Sequence, residues 1–287
     1  MSKVVIVGAG MAGFSAALQL RRLGIEFILL DKKGEPGGLI PNAWRIENYI
    51  GFEGTGFELQ DRMREKSIKY GIEVLKRKVT DVFFADERIN LVTDDGNFST
   101  EYAVLAPGTE NRKLPSLWPG EDILNGVTTL KDKSGKKIGV IGGGEAGCDH
   151  ALFLADRNCE VEIFLRGSNP KCSGDLYNNV KSRKNIRFVE NFIPSKIFVS
   201  ENKKYIVSGY SGCDNFQKEF DFLINATGRV SRLAMFDIIP STGVVTERQG
   251  LYVAGDARLG SLGQLGIAAG DGLECAIKIF GDIIKCR

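Results

Sequence analysis

Val4-Val5-Ile6-Val7-Gly8-Ala9-Gly10-Met11-Ala12-Gly13 joins a short apolar, β-branched run to G-x-G-x-x-G. A helix-like pattern follows, with Ala16, Ala17, Leu20 and Leu23 on one side and Gln19, Arg21 and Arg22 on the other. A second apolar run, Phe27 to Leu30, ends in Asp31, eighteen residues beyond Gly13. Strand, glycine turn, helix, strand and acid form the layout that binds the ADP half of a dinucleotide. Gly8 permits the tight turn, Gly10 lets backbone N–H groups approach a pyrophosphate, and Gly13 lets helix and strand pack closely. The helix N-terminus favours negative charge, and Asp31 can accept from ribose hydroxyls. A glycine-rich turn that binds nothing is the plain alternative, and the surrounding strand, helix and acid weigh against it.

The pattern occurs twice. Ile138-Gly139-Val140-Ile141 reads as a strand and runs into Gly142-Gly143-Gly144-Glu145-Ala146-Gly147. Ala151–Ala155 carries the helix, and Val161–Arg166 the next strand. Two such sites imply two nucleotides and electron transfer between them. A relic that keeps its glycines without binding stays open for the second site.

Composition narrows the classes. The 287-residue length fits one large or two ordinary domains, and an excess of glycine (35 residues) suits a turn-rich α/β architecture. A formal net charge of +2 gives no global basic field, so nucleic acid is not expected as a partner. No apolar run approaches a membrane span, and Met1-Ser2-Lys3 before the first strand leaves no room for a signal peptide. Cys148, Cys159, Cys172, Cys213, Cys275 and Cys286 include no C-x-x-C pair, so isolated reduced thiols in a cytoplasmic protein are expected.

Between the repeats, Lys32–Leu39 is a loop by composition. The segment from Gly56 to Tyr70 reads as an amphipathic helix with Leu59, Met63 and Ile68 inward. Short strands are expected near 73–75, 79–84, 88–93 and 102–105, with Asp94-Asp95-Gly96-Asn97 as a hairpin turn. Strands at 187–189, 195–199, 205–207 and 222–226 complete the second unit. Leu251-Tyr252-Val253-Ala254-Gly255-Asp256, a turn around Gly260–Gly263 and a helix from Gln264 to about Ile279 close the chain.

This order of motifs resembles the low-molecular-weight thioredoxin reductases, two-dinucleotide-binding-domain flavoproteins, over essentially the whole chain. The matching pieces are GAGMAG, GG followed by RIENYIGF, MREKSIKYGIEV, LAPGT in place of the usual ATG, IGGGEAG, INATGR and LYVAGDARLGSLGQLGIAAGDG. The resemblance implies an α/β fold of two Rossmann-like, three-layer ββα domains. Residues 1–110 and 233–287 would bind FAD, and residues 111–232, inserted between them, would bind NAD(P)H. Carried over by position, Gly8, Gly10, Ala12 and Gly13 hold the FAD pyrophosphate, and Asp31 and Lys32 the AMP ribose region. Gly38, Leu39 and Asn48 line the flavin side. Val79 meets adenine through its backbone, while Ala106, Gly108 and Thr109 pass behind the cofactor. Gly255 and Asp256 hold the ribityl chain, with Gln264 and Leu265 near the flavin pyrimidine, where the helix N-terminus would stabilise a reduced-flavin anion. Gly142, Gly144, Glu145, Ala146, Arg166 and Lys171 would hold the nicotinamide nucleotide. A homodimer is implied as well.

Two departures from the family matter. The redox-active C-x-x-C before the second nucleotide strand is missing, since Gly126–Lys136 contains no cysteine. Disulfide reduction needs an attacking thiolate and a resolving partner. Cys148 and Cys159 read as small apolar fillers. The family's basic 2′-phosphate cluster is also reduced to Arg166-Gly167-Ser168-Asn169-Pro170-Lys171. Arg166, Ser168 and Lys171 can bind a phosphate more weakly than a bidentate arginine pair, and no acid ends this strand for an NAD ribose. NADPH is favoured over NADH, and loss of nucleotide binding stays open.

His150, the only histidine, reads as a helix-surface or packing residue. Trp44 is compatible with shielding the cofactor or with core packing. Lys131, Lys133, Lys136 and Lys137 form a solvated basic run or a dock for an acidic electron carrier. The leading expectation is an FAD-dependent NAD(P)H oxidoreductase without the catalytic dithiol. The flavin itself would be the catalyst, and electrons would pass to an external ferredoxin- or flavodoxin-type carrier. Hydride transfer between the nucleotides needs reacting atoms held about 3–3.5 Å apart. Such relatives usually carry a C-terminal extension with an aromatic over the flavin, whereas this sequence ends at Lys285-Cys286-Arg287. A flavoprotein fed by a donor other than NADPH and a non-catalytic FAD-binding sensor or scaffold are the alternatives.

Overall fold

The computed structural model describes residues 4–114, 123–211, 214–238, 243–244, 246, 249–260 and 263–285. Cys213, Cys286 and part of the turn expected around Gly260–Gly263 lie outside these residues. The chain divides into two compact units.

The first unit holds 1–41, 46–110 and 229–287. Its centre is a five-stranded sheet in the order Leu251–Val253, Tyr102–Leu105, Val4–Val7, Phe27–Asp31, Val74–Lys76, parallel throughout. All four residues of Val4–Val7 are buried, as expected of a parallel strand covered on both faces. Val5 and Val7 pack with Val82, Ile89 and Leu91 of an antiparallel sheet formed by Val79–Ala85, Arg88–Thr93 and Asn97–Thr100. The expected hairpin joins the last two strands. The helices Met11–Arg22 and Leu265–Lys285 pack against each other, with the Ser15 hydroxyl donating to Ala269 O at 2.7 Å. Helix 265–285 continues past the expected end near Ile279.

The helix Gly56–Lys69 starts on a capping box: the Thr55 hydroxyl accepts from Glu58 N, and the Glu58 carboxylate accepts from Thr55 N. Leu59 and Met63 are buried, but Ile68 is 84% exposed, against expectation. Ile68 lies nine positions beyond Leu59, half a turn round the helix, and so falls on the face opposite the buried stripe.

The second unit holds 42–45 and 111–228. Its parallel sheet runs Ile186–Val189, Glu160–Phe164, Lys137–Ile141, Phe222–Asn225. An antiparallel sheet, Phe192–Val199, Tyr205–Ser211 and Asp214–Phe220, accompanies it. Their shared core is aromatic, with the Phe164 ring 4.7 Å from Phe192, 5.6 Å from Phe220 and 5.7 Å from Phe216.

The expected partition differs from these units in two places. Residues 229–232 fall in the first unit, where Arg229 donates to Thr109 Oγ1 and to Thr109 O, both at 2.7 Å. Residues 42–45 fall in the second. There Trp44 N donates to Asp149 Oδ2 at 2.9 Å and Trp44 Nε1 to Asp156 Oδ2 at 2.6 Å, while Asn42 Oδ1 accepts from Val127 N at 3.0 Å. Trp44 is thus an anchoring residue on the helix Glu145–Ala155. No described helix is long and apolar enough to cross a membrane.

Phe164 joins the two sheets of the second unit, so Phe164→Ala should cost about 3–5 kcal/mol of stability. Hydrogen exchange should show the loss across 137–225 and not across the five-stranded sheet of the first unit. Uniform loss across both units would contradict this division.

Candidate functional site

The two glycine turns are built alike. Gly8 has φ +95°, and a Cβ placed on it would lie 2.2 Å from Ala106 O. Gly142 has φ +111°, and its Cβ would lie 2.3 Å from Ala226 O. A Cβ on Gly13 would come within 1.8 Å of Gly8 O, and one on Gly147 within 1.9 Å of Gly142 O. At both turns only glycine lets the helix lie against the strand.

What lies at the mouth of each turn differs. A Cβ on Gly10 would meet no atom within 4 Å. Gly10 is the N-cap of the helix Met11–Arg22, no side chain caps that end, and its first turn holds no acid. This is an open, positively polarised end, as a pyrophosphate requires. Asp31 closes one side, its Oδ2 accepting from Ala9 N at 3.0 Å and its Oδ1 from Lys33 N at 2.7 Å. Gly37 N donates to Ala9 O at 2.9 Å, and a Cβ on Gly38 would stand 3.0 Å from Gly10 Cα, so the 34–39 loop lies along the turn. Ala106 N donates to Val7 O. Gly255, at φ +72°, lies against Ala12, where a Cβ would come within 2.8 Å of the Ala12 Cβ. Lys32 is exposed, and partial desolvation and then the nearby Arg232 lower its pKa.

The remaining expected residues fall in three places. Asn48 Nδ2 donates to Gln264 Oε1 at 3.2 Å, joining two flavin-side candidates at the head of the helix that begins with Leu265. Leu39 is exposed and Leu265 partly buried. Val79 is buried and starts its sheet two residues after Arg77, whose N–H donates to Asp31 O. Gly108, at φ +70°, accepts from Arg232 N, and Thr109 is buried beneath Arg229.

Two elements of this site were not assigned from the sequence. Arg229, last residue of the quoted INATGR motif, is lowered in pKa by burial and then by the neighbouring Arg232. Lys32, Arg229 and Arg232 thus gather positive charge. Asp271 is buried: its Oδ2 accepts from Gly255 N at 2.9 Å, and Arg258 Nη2 stands 2.8 Å from its Oδ1. This ion pair fixes the Gly255 turn and therefore Asp256. The signal was available as the acid of AAGDG and the arginine of GDARLG, but their meeting depends on the fold.

In the second unit the Gly144 turn faces a loop. Lys171 N donates to Gly143 O at 2.7 Å, Gly144 pairs with Lys171 as a β-bridge, and Ser173 N donates to Glu145 Oε1 at 2.6 Å. Ala146, like Glu145, is exposed in the first helical turn. Lys171 therefore reaches the turn through its backbone, and Arg166 is exposed on the same loop. His150 is buried, with Nδ1 lacking a hydrogen-bond partner. In the basic run Lys131 and Lys133 are exposed, whereas Lys137 lies over the Phe220 ring at 5.3 Å. Among the described cysteines, Cys148, Cys159 and Cys275 are buried free thiols and Cys172 is a partly buried one. Among the described residues no group of His, Cys, Asp and Glu is placed to hold a metal ion.

Burial raises the Asp256 pKa above the usual carboxylate range, opposed by Arg229. A raised native pKa means the folded state binds more protons between the unfolded and folded values, so stability falls as pH rises through that window. Asp256→Asn should therefore raise the melting temperature of the cofactor-free protein at pH 7. The gain should vanish on acidification below the ordinary carboxylate pKa. An equal gain at all pH values would contradict this origin.

Comparison with known proteins agrees with this geometry. Residues 2–272 match the family described as pyridine nucleotide-disulphide oxidoreductase. The thioredoxin reductase of Listeria monocytogenes is 26% identical, covering 94% of this chain and 90% of its own. The ferredoxin–NADP reductase of Ignicoccus hospitalis is 28% identical, covering 71% of this chain and 68% of its own. The crystal structure of Lactococcus lactis thioredoxin reductase superposes with a TM-score of 0.89 at 25% identity, covering 99% of this chain and all of that one. The chain belongs to the pyridine nucleotide-disulphide oxidoreductase family, on its low-molecular-weight thioredoxin-reductase-like side.

Proposed function

We propose that this protein is an FAD-dependent oxidoreductase that moves electrons between NAD(P)H and an external one-electron carrier of the ferredoxin or flavodoxin class. The observation that carries the reading is the pairing of two glycine turns with a sequence that has no C-x-x-C. The first turn suits FAD: the open space above Gly10, the uncapped helix end, the acid Asp31 and the cations Lys32, Arg229 and Arg232 match a dinucleotide pyrophosphate and ribose. When bound, the flavin supplies the two-electron and one-electron chemistry.

The residues of this chain bind and orient. The Asp271–Arg258 pair holds Gly255, and with it Asp256, for the ribityl chain. Asn48 and Gln264 meet at a helix N-terminus whose partial positive charge favours a reduced, anionic flavin. In the second unit Gly142 and Gly144 take the nucleotide, and Arg166 with Lys171 takes its phosphate. Glu145 and Ala146 start the helix, Glu145 holding the loop through Ser173. With no C-x-x-C dithiol in this chain, electrons leave to a separate protein, and the likeness to a ferredoxin–NADP reductase supports that class of acceptor. A cytoplasmic homodimer belongs to the same proposal.

The reduced basic cluster gives one specific alternative, a flavoprotein fed by another donor. Anaerobic titration separates the two. Bleaching of the flavin absorbance by stoichiometric NADPH, followed by turnover with ferredoxin or flavodoxin, is the expected result. Bleaching by dithionite or reduced ferredoxin but not by NADPH would overturn the nucleotide assignment. Arg166→Ala should raise the KM for NADPH about tenfold, the worth of one charge-assisted hydrogen bond, with kcat and the KM for NADH unchanged. An unchanged KM for NADPH would remove Arg166 from the site.

A further inference from the structure

Gly37 and Gly38 meet the first glycine turn through backbone. Gly37 N donates to Ala9 O at 2.9 Å, and a Cβ on Gly38 would stand 3.0 Å from Gly10 Cα. Both have positive φ, +127° and +59°, and adjacent glycines are the residues that lose most freedom when ordered. Two bonds come from close neighbours in the chain: Lys33 Nζ to Gly38 O at 3.3 Å and Ile40 N to Gly37 O at 3.0 Å. The others come from the helix Gly56–Lys69.

Gln60 of that helix is only 4% exposed, which is unusual for glutamine. Its Nε2 donates to Pro36 O at 3.0 Å. The side chain lies flush against Gly37, where a Cβ would come within 2.8 Å of Gln60 Cγ and Nε2. Four residues on, Arg64 Nη2 reaches Glu35 Oε2 at 2.7 Å. Residues four apart share a helix face, so one face holds 35, 36 and 37 in succession. The capping box of Thr55 and Glu58 fixes where this helix begins, and with it the direction of Gln60.

We propose that Gln60 is a positioning residue for the dinucleotide at the first turn: its amide holds the Pro36 carbonyl and so pre-forms the Gly37–Gly38 ledge beside the turn. That this dinucleotide is FAD rests on the function proposed above, whereas the clamp on the loop does not. Pro36 and Gly37 are buried, so the Pro36 carbonyl needs a partner inside the protein. Without the Gln60 amide the carbonyl is left unpaired, and the loop leaves the turn to hydrate it. Binding then has to order two glycines, which shows as faster cofactor release. The Arg64–Glu35 pair is open to solvent and adds little.

The test uses the full-length protein as purified and reads both loop and cofactor. Gln60→Met keeps the side chain's length without its donor. It should speed hydrogen exchange of the Gly37–Ile40 amides about tenfold and leave the five-stranded sheet of the first unit unchanged. Flavin fluorescence after dilution should show release about tenfold faster in Gln60→Met and about twofold faster in Arg64→Met. Gln60→Glu gives a readout that packing alone would not move. Its carboxyl donates to the Pro36 carbonyl only when protonated. Its release rate relative to the parent should therefore fall as pH drops from about 8 to about 5.5, a slope absent from Gln60→Met. Unchanged loop exchange in Gln60→Met would overturn the proposal. So would equal acceleration in the loop and the five-stranded sheet, which would make Gln60 a packing residue. Faster loop exchange with unchanged release would remove the clamp's bearing on the cofactor and leave the FAD reading standing. A parent protein that takes up no FAD, with the loop still loosened in Gln60→Met, would keep the clamp and overturn the FAD reading.

Discussion

One steric constraint organises each half of this protein: a backbone carbonyl stands where a side chain on the first glycine of the turn would be. Ala106 O occupies that place against Gly8, and Ala226 O against Gly142. Gly8 O and Gly142 O in turn press against Gly13 and Gly147. These contacts fix the height and tilt of each helix on its strand. In the first unit the consequences spread further. With Gly13 seated, Ala12 O meets Gly272 of the last helix and Ala12 Cβ meets Gly255. The last helix brings Asp271, which holds the Gly255 turn through its amide and through Arg258. A nucleotide turn near the start of the chain and an acid near its end thereby become parts of one site.

The two turns share this steric core and differ at the mouth. The first is open above Gly10 and carries no acid in its helical turn. The second has Glu145 at that position, with the 171–173 loop bonded across it. Electrostatics follow the same division. Positive charge from Lys32, Arg229 and Arg232 collects beside the first turn, while the second offers Arg166 and Lys171, both exposed. A tight resident dinucleotide at the first and a weaker exchanging one at the second is the arrangement these differences favour.

The fold was legible because the pattern Val4–Gly13 recurs at 138–147, and because glycine spacing states a steric requirement directly. Most strands and the main helices follow from apolar periodicity, which misplaces Ile68 and the end of the last helix and leaves the strand Asp214–Phe220 and the helix Gly174–Ser182 unread. The site was legible as far as short motifs reach. Asp31, Gly38, Asn48, Gly255 and Gln264 carry local signals, and the structure brings Asn48 to Gln264. Arg229 and Asp271 act through contacts with residues outside their own motifs, which periodicity does not encode. Trp44 was ambiguous for the same reason: its partners, Asp149 and Asp156, lie more than a hundred positions away.

The central claim is that the first turn holds FAD. The direct measurement is the absorbance spectrum of the gently purified protein, with chromatographic identification of the cofactor released on denaturation. The account predicts a yellow protein that releases FAD at one per chain. A colourless protein that takes up no added FAD, or one that releases only a mononucleotide, would contradict it.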